Sequence, residues 1–276
     1  MQKLNSGYLK DINNDFLNQI IKKTHVILTS ESGEEGTNSR YFGRPWMPDD
    51  VEYPEGMGFV CQLDIQTTPG LKELIGLEKG LLLLFIEAGE YYPEGDGGFH
   101  IIITDIDKPS GLRDHPKDSE YKVSVSNITG YLPFYEYPSS EELMNLKHKS
   151  DRGFADNAEK FLKIYNKYKN HTREKLTDIS GNEYNEFDGI KKGISCLAGN
   201  SSYDKIGGWP SFEQGDETPN DANGNRMTMI LQIGFGQLLL DNGDENYKSE
   251  KSAYYGTGHL FYSKETKEFR YVWACD

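Results

Sequence analysis

The sequence predicts an α+β fold of mostly antiparallel sheet, built from two internally duplicated, pseudo-two-fold-related halves with peripheral helices. Three observations predict it. Apolar runs of strand length come before, between and after helical stretches, without a regular βαβ alternation. Three segments recur in the same order in both halves of the chain. An aromatic content of 12%, with 18 Tyr and 13 Phe, gives 276 residues the means to bury a substantial core.

Taken in order, Leu9, Ile12, Phe16, Leu17, Ile20 and Ile21 recur at helical spacing, which predicts an amphipathic helix over 4–23. Residues 24–28 then read as a strand, and 29–38, with Gly33 and Gly36 among polar neighbours, as an exposed loop. Apolar strands follow at 59–65 and 81–86. A short helix joins them, signalled by Thr68 as N-cap, Pro69 at the first helical position, and Leu71, Leu74 and Ile75 behind. Residues 99–103 and 121–125 read as further strands, the second alternating as a half-buried strand does. Ser139 and Glu142 have capping-box spacing. A helix from about 153 to 169 stacks Phe154, Ala158, Phe161, Leu162, Tyr165 and Tyr168 on one face. Residues 139–170 therefore read as a helical insertion between the halves.

The duplication shows as three matched segments, the central one without a gap and all three at slowly growing offsets that small insertions would leave. Residues 57–65 (MGFVCQLDI) align with 227–235 (MTMILQIGF), pairing Met57 with Met227 and Gln62 with Gln232. Upstream, Arg40 to Pro45 (RYFGRP) matches Lys205 to Pro210 (KIGGWP); downstream, Gly80 with Leu84 and Phe85 matches Gly256 with Leu260 and Phe261. Two copies are too few for a solenoid, so a single domain over 1–276 is expected, with repeat units at about 40–86 and 205–262. Gly43 and Gly208 are expected to supply backbone conformations closed to other residues, and Pro45 and Pro210 to fix the chain direction after them.

Thirty basic against 44 acidic residues leave a net charge of −14, which repels nucleic-acid phosphates and attracts a basic protein. Neither an apolar signal region nor a membrane-length apolar run is present, so the expectation is a cytoplasmic protein with no nucleic-acid or membrane partner. Cys61, Cys196 and Cys275 form no C-x-x-C pair, which fits a reducing compartment.

Catalytic patterns are missing. The six histidines, at 25, 100, 115, 148, 171 and 259, lack metal-binding spacing. The stretch from Asp221 to Arg226 begins like a calcium loop but has Arg226 where the turn glycine belongs and Gln232 where the bidentate glutamate belongs. No G-x-S-x-G elbow occurs. The sequence therefore calls for no metal and no cofactor, and it names no catalytic residue. The polar residues of most interest are Gln62 and Gln232, each interrupting an apolar strand, where a buried amide must find partners. They either satisfy backbone groups where the halves meet or line a ligand cleft together with Arg44, Lys205, Trp46 and Trp209. The tryptophans have core anchoring as their alternative role.

These same segments resemble the YwqG-like family of bacterial proteins, whose domain is one of unknown function. The first half resembles it at 39–45 with Pro48, at 62–65 and at 80–85. The second half resembles it at 205–210 with Gln214, Gly215 and Asp216, at 230–233, at 256–261 and at 272–275. The chain departs from the family at Thr257, where an acidic residue is frequent, and at Phe42-Gly43, where Gly-Gly is more usual. The resemblance implies a fold and a bacterial cytoplasmic setting, and lends no catalytic residues. The functional expectation is a non-enzymatic interaction protein, in concrete form an immunity or inhibitor protein that holds a basic toxin or other protein partner against its acidic surface. The alternative is a small-ligand-binding protein, or an enzyme of unrecognised type, with a cleft between the halves.

Overall fold

The computed structural model describes residues 12–30, 33–87, 98–105, 107–115, 125–148, 152–168, 175–177, 183–185, 204–212, 215–234 and 257–274. Their elements are α1 (Asn14–Ile20), β1 (Lys22–Thr29), β2 (Arg40–Tyr41), β3 (Trp46–Pro48), β4 (Met57–Asp64), α2 (Leu71–Ile75), β5 (Leu81–Glu87) and β6 (Phe99–Thr104). There follow β7 (Ser110–Leu112), β8 (Ser126–Glu136), α3 (Ser140–His148), α4 (Arg152–Tyr168), β9 (Lys175–Thr177) and β10 (Glu183–Asn185). The chain closes with β11 (Lys205–Gly207), β12 (Thr228–Gly234), β13 (Thr257–Tyr262) and β14 (Phe269–Ala274). The strand expected at 121–125 falls, but for Val125, outside the described residues, as do Cys196, Gln214, Gly256 and Cys275.

Ten of these strands form one sheet, in the order β14-β13-β12-β11-β1-β8-β2-β4-β5-β6, and every pairing in it is antiparallel. The long pair β1–β8 lies at its centre. One wing, β2-β4-β5-β6, extends from β8, and the other, β11-β12-β13-β14, extends from β1. Apolar residues of both wings, among them Val60, Leu63, Leu82 and Leu84 of the first and Ile206, Ile230, Leu260 and Tyr262 of the second, share one buried cluster. The continuous run from Leu81 to Ile86 is explained by β5 being covered on both faces. Leu82, Leu84 and Ile86 enter that cluster, while Leu81, Leu83 and Phe85 pack on Met47 and Phe59.

The helices form their own apolar layer, in which Phe16, Leu17 and Ile20 of α1 meet Tyr137, Leu143 of α3, and Ala158 and Phe161 of α4. Helix α1 starts where Asn13 Oδ1 accepts the Asp15 amide at 2.7 Å and stops at Ile21, whose backbone is extended. The helix expected to reach residue 23 therefore ends earlier. Thr24, Val26 and Ile27 are β-branched, and this segment pairs with β8 on one side and β11 on the other, so sheet pairing wins. Helix α2 is also a correction. It begins at Leu71 behind Gly70 in the left-handed region, φ 79°, and Thr68 does not cap it with its side chain. The Thr68 hydroxyl instead lies 3.0 Å from that of Tyr131.

Half of the capping box forms as expected, with Ser139 Oγ accepting the Glu142 amide at 3.1 Å. The Glu142 carboxylate turns away to Arg226. Strand β8 escaped the sequence reading because Gly130 and Pro133 interrupt it. Pro133 lies opposite His25 of β1, while β2 covers only Ser126 and Asn127 on the other flank. The N–H that proline lacks is therefore tolerated there.

Candidate functional site

Each wing begins with a short strand that runs into a left-handed glycine turn. In the first, Phe42 and Gly43 have φ of 56° and 72°; in the second, Gly207 and Gly208 have φ of 67° and 84°. Consecutive left-handed residues favour glycine, which has no Cβ to clash, so Phe42 holds the less comfortable of the four positions. In the second turn the reason is also spatial: a Cβ on Gly208 would run into the Glu136 carboxylate and Thr24.

A buried cation closes each turn. Arg40 is fully buried and donates to the carbonyls of Gly36, Asn38 and Arg44. Burial lowers its guanidinium pKa to about 10. Lys205, also fully buried, donates through Nζ to the Trp209 carbonyl at 2.7 Å and to Glu136 Oε1 at 2.7 Å. Glu136 Oε2 in turn accepts the Trp209 amide at 2.9 Å. In both wings the basic residue thus binds the carbonyl four positions on, at the far side of its turn.

The two glutamines do matching work. Gln62 is opposite Arg40 in register and Gln232 opposite Lys205. Gln62 Oε1 accepts the Trp46 amide at 3.0 Å and its Nε2 donates to the carbonyls of Gly36 and Asn38, both at 3.0 Å. Gln232 Oε1 accepts the Ser211 amide at 3.0 Å. Trp46 and Ser211 each follow the proline that leaves the turn, and both glutamines are fully buried. Their amides hold main chain in place, as expected of polar groups within an apolar strand.

Five of the six nominated residues gather as two clusters. Gln62 and Trp46 belong to one, around Arg40, and Lys205, Gln232 and Trp209 to the other; β4 and β12 stand five strand steps apart across β2, β8, β1 and β11. Arg44 lies at the surface, its side chain 42% exposed, paired with Glu35 at 2.7 Å and Asp114 at 3.1 Å. Trp46 is half-buried against the cluster around Met47 and Phe85. Trp209 is buried, its Nε1 donates to the Ile20 carbonyl at 2.8 Å, and Lys22 Nζ sits 3.4 Å from its ring centroid.

Several ionisable groups in this region were not anticipated. Burial lowers Lys22 to about 8, against the opposing pull of Glu142. Burial raises Glu142 to about 7 although Arg226 holds it in an ion pair, and Arg226 also bridges to Asp216 at 2.6 Å. His259, opposite Gln232, is fully buried; desolvation lowers it to about 3, with Lys205 adding to the effect, and its Nε2–H donates to the Ser211 carbonyl at 3.1 Å. Glu136 and His259 are lone polar residues inside aromatic or apolar runs, the one signal by which sequence could have found them. In the space between the wings, Asp204 accepts the Gly234 amide at 2.7 Å, and burial raises its carboxyl to about 7 opposite the Tyr41 hydroxyl. Cys61 is fully buried, which pushes its thiol well up from its ordinary value.

Among the described residues no helix is long and apolar enough to cross a membrane. A family model described as a domain of unknown function, DUF1963, matches residues 39–259. A comparison with curated proteins finds no match.

Proposed function

The chain belongs to the DUF1963 family, a name that assigns no chemistry, and from that premise we propose that it is a non-enzymatic interaction protein whose acidic exterior engages a basic protein partner. An intracellular immunity or inhibitor protein that neutralises a basic toxin is the concrete form. The observation that carries this reading is where the charge goes. The buried cations Arg40 and Lys205 are engaged by carbonyls and Glu136, and the sequence as a whole carries a net charge of −14. Charge-steered association weakens with salt, since the screening length is only about 8 Å at 0.15 M. The test is the association rate with the purified basic product of a neighbouring reading frame, at low and high ionic strength. A several-fold fall supports the reading, and a flat rate overturns it.

We also propose a duplicated, pseudo-two-fold-related origin for 40–86 and 205–262 within a single domain, on the YwqG-like pattern and in a bacterial cytoplasm. The mirrored strand order about β1–β8, the registers Arg40–Gln62 and Lys205–Gln232, and the two matched turns support the duplication.

A second reading, a small-ligand-binding protein or enzyme of unrecognised type with a cleft between the halves, draws support from one observation. Aromatic side chains on the outer strands of the two wings are packed on the shared core but only half-buried. This support does not come from Gln62, Gln232 or Lys205, whose polar atoms hold main chain and, for Lys205, the Glu136 carboxylate as well.

A further inference from the structure

Two separate apolar clusters lie in the sheet and in the helical layer. One is the cluster that the wings share, built from strands of both and from α2. The other belongs to α1, α3 and α4; among its buried members Ile12 and Tyr137 lie outside those helices, and none is on a strand. The chain passes between sheet and helical layer at two crossings that lie side by side. Ile21 alone separates α1 from β1, residues 137–139 alone separate β8 from α3, and the strand ends at these crossings, Lys22 and Glu136, are partners in register.

The side-chain contacts that fasten α3 to the second wing are polar. Arg226, two residues before β12, donates through Nε and Nη2 to the Glu142 carboxylate of α3 and through Nη2 to Asp216 at 2.6 Å. Asn145, about one turn on from Glu142, donates to the same Asp216 carboxylate. One guanidinium thus joins two carboxylates whose side chains are only 3% and 5% exposed. At the end of α1 the Ile20 carbonyl accepts the Trp209 indole N–H. Continuous apolar packing makes two layers open together, whereas a junction of a few directional bonds breaks in one step. The helical cluster also holds fewer buried side chains than the cluster of the wings, so it is the less stable of the two.

We propose that α1, α3 and α4 form a cap that opens as one unit while the ten-stranded sheet stays folded, and that Arg226, held between Glu142 and Asp216, is its latch. Arg226 keeps the cap shut because two buried carboxylates depend on its one charge. Opening bares the apolar faces of the three helices and releases the Trp209 indole from Ile20, and it leaves the cluster of the wings intact.

The test is native-state hydrogen exchange on the full chain, read by peptide mass spectrometry. Amides of α1, α3 and α4 are expected to share one opening, at least about a hundredfold more frequent than the opening that exposes the amides of β4 and β5. Two substitutions separate a cap from a single cooperative unit. Leu84→Ala, fully buried in the cluster of the wings, should speed exchange in β4 and β5 at least about thirtyfold. It should leave the cap unchanged, because the open and closed forms of the cap both keep that cluster. Arg226→Met should speed exchange in the cap about a hundredfold. If either variant does not fold, Ile86→Val and Asn145→Ala replace them in turn, with effects of several-fold. Acceleration of the cap by the sheet substitution, or cap amides that exchange no sooner than those of β4 and β5, overturns the separate unit. A cap whose exchange is indifferent to the latch substitution overturns the latch.

Discussion

Lys205 and Glu136 form an ion pair at 2.7 Å with side-chain exposures of 0% and 1%, and between them they hold both the amide and the carbonyl of Trp209. Taking two charges out of water is expensive, so the pair is worth having only because it also satisfies main chain. Removing one member leaves the other charged, buried and alone. Lys205→Met is expected to destabilise the protein by about 3–5 kcal/mol in denaturant titrations. A loss under about 1 kcal/mol would show that water reaches this pair.

The glutamines give a graded comparison. Gln232→Leu leaves the Ser211 amide unpaired and is expected to lower stability by about 1–3 kcal/mol. Gln62→Leu also strips a donor from the carbonyls of Gly36 and Asn38, so its loss should be at least as large. Thermal melts of either variant indistinguishable from wild type would contradict these hydrogen bonds.

Glycine substitutions separate backbone strain from collision. Gly208 and Gly224 have similar positive φ, 84° and 78°, but a Cβ at Gly208 meets Glu136 and Thr24 whereas one at Gly224 meets nothing within 4 Å. Gly224→Ala should therefore lose about 1–2 kcal/mol from the left-handed conformation alone. Gly208→Ala should lose clearly more, and comparable midpoints in urea would refute the collision.

Asp204 and His259 give opposite pH dependences. Burial raises Asp204 from 3.8 to about 7, so the native protein keeps a proton that the unfolded chain releases, and stability falls as pH rises through that window. His259 is lowered from 6.5 to about 3, so the unfolded chain takes up a proton that the native state refuses, and stability falls as pH drops through that window. Where the windows overlap the two slopes oppose. Asp204→Asn should leave stability rising with pH between 4.5 and 6 by up to about 1.4 kcal/mol per unit, and His259→Gln should reverse the sign relative to it. Urea midpoints at three pH values decide it, and parallel profiles in the two variants would exclude the assignment.

Cys61 offers a simple check on burial. Its thiol is fully enclosed and held well above its ordinary range, so the thiolate that alkylating reagents need is absent in the folded state. Iodoacetamide should label Cys61 only after denaturation, as peptide mass mapping would show. Rapid labelling of the native protein at neutral pH would place that thiol at an opening.

The sequence by itself determined what is local and periodic. The apolar runs at 59–65 and 81–86, the Ser139 cap, the left-handed glycines at 43 and 208, and two buried glutamines at matching positions all follow from side-chain pattern and steric rules acting over a few residues. Tertiary structure alone decided what those residues touch. Glu136 meets Lys205 across 69 positions of chain, and His259 reaches Ser211 across 48. Strand β8, with Pro133 and Gly130 against it, is a strand because β1 offers eight of its eleven residues a partner. The same holds for the end of α1, where pairing on both flanks of Lys22–Thr29 overrode helical spacing. A buried donor or acceptor must be satisfied, but any chain segment that folds near it can do so; the sequence states the requirement, and only packing names the partner.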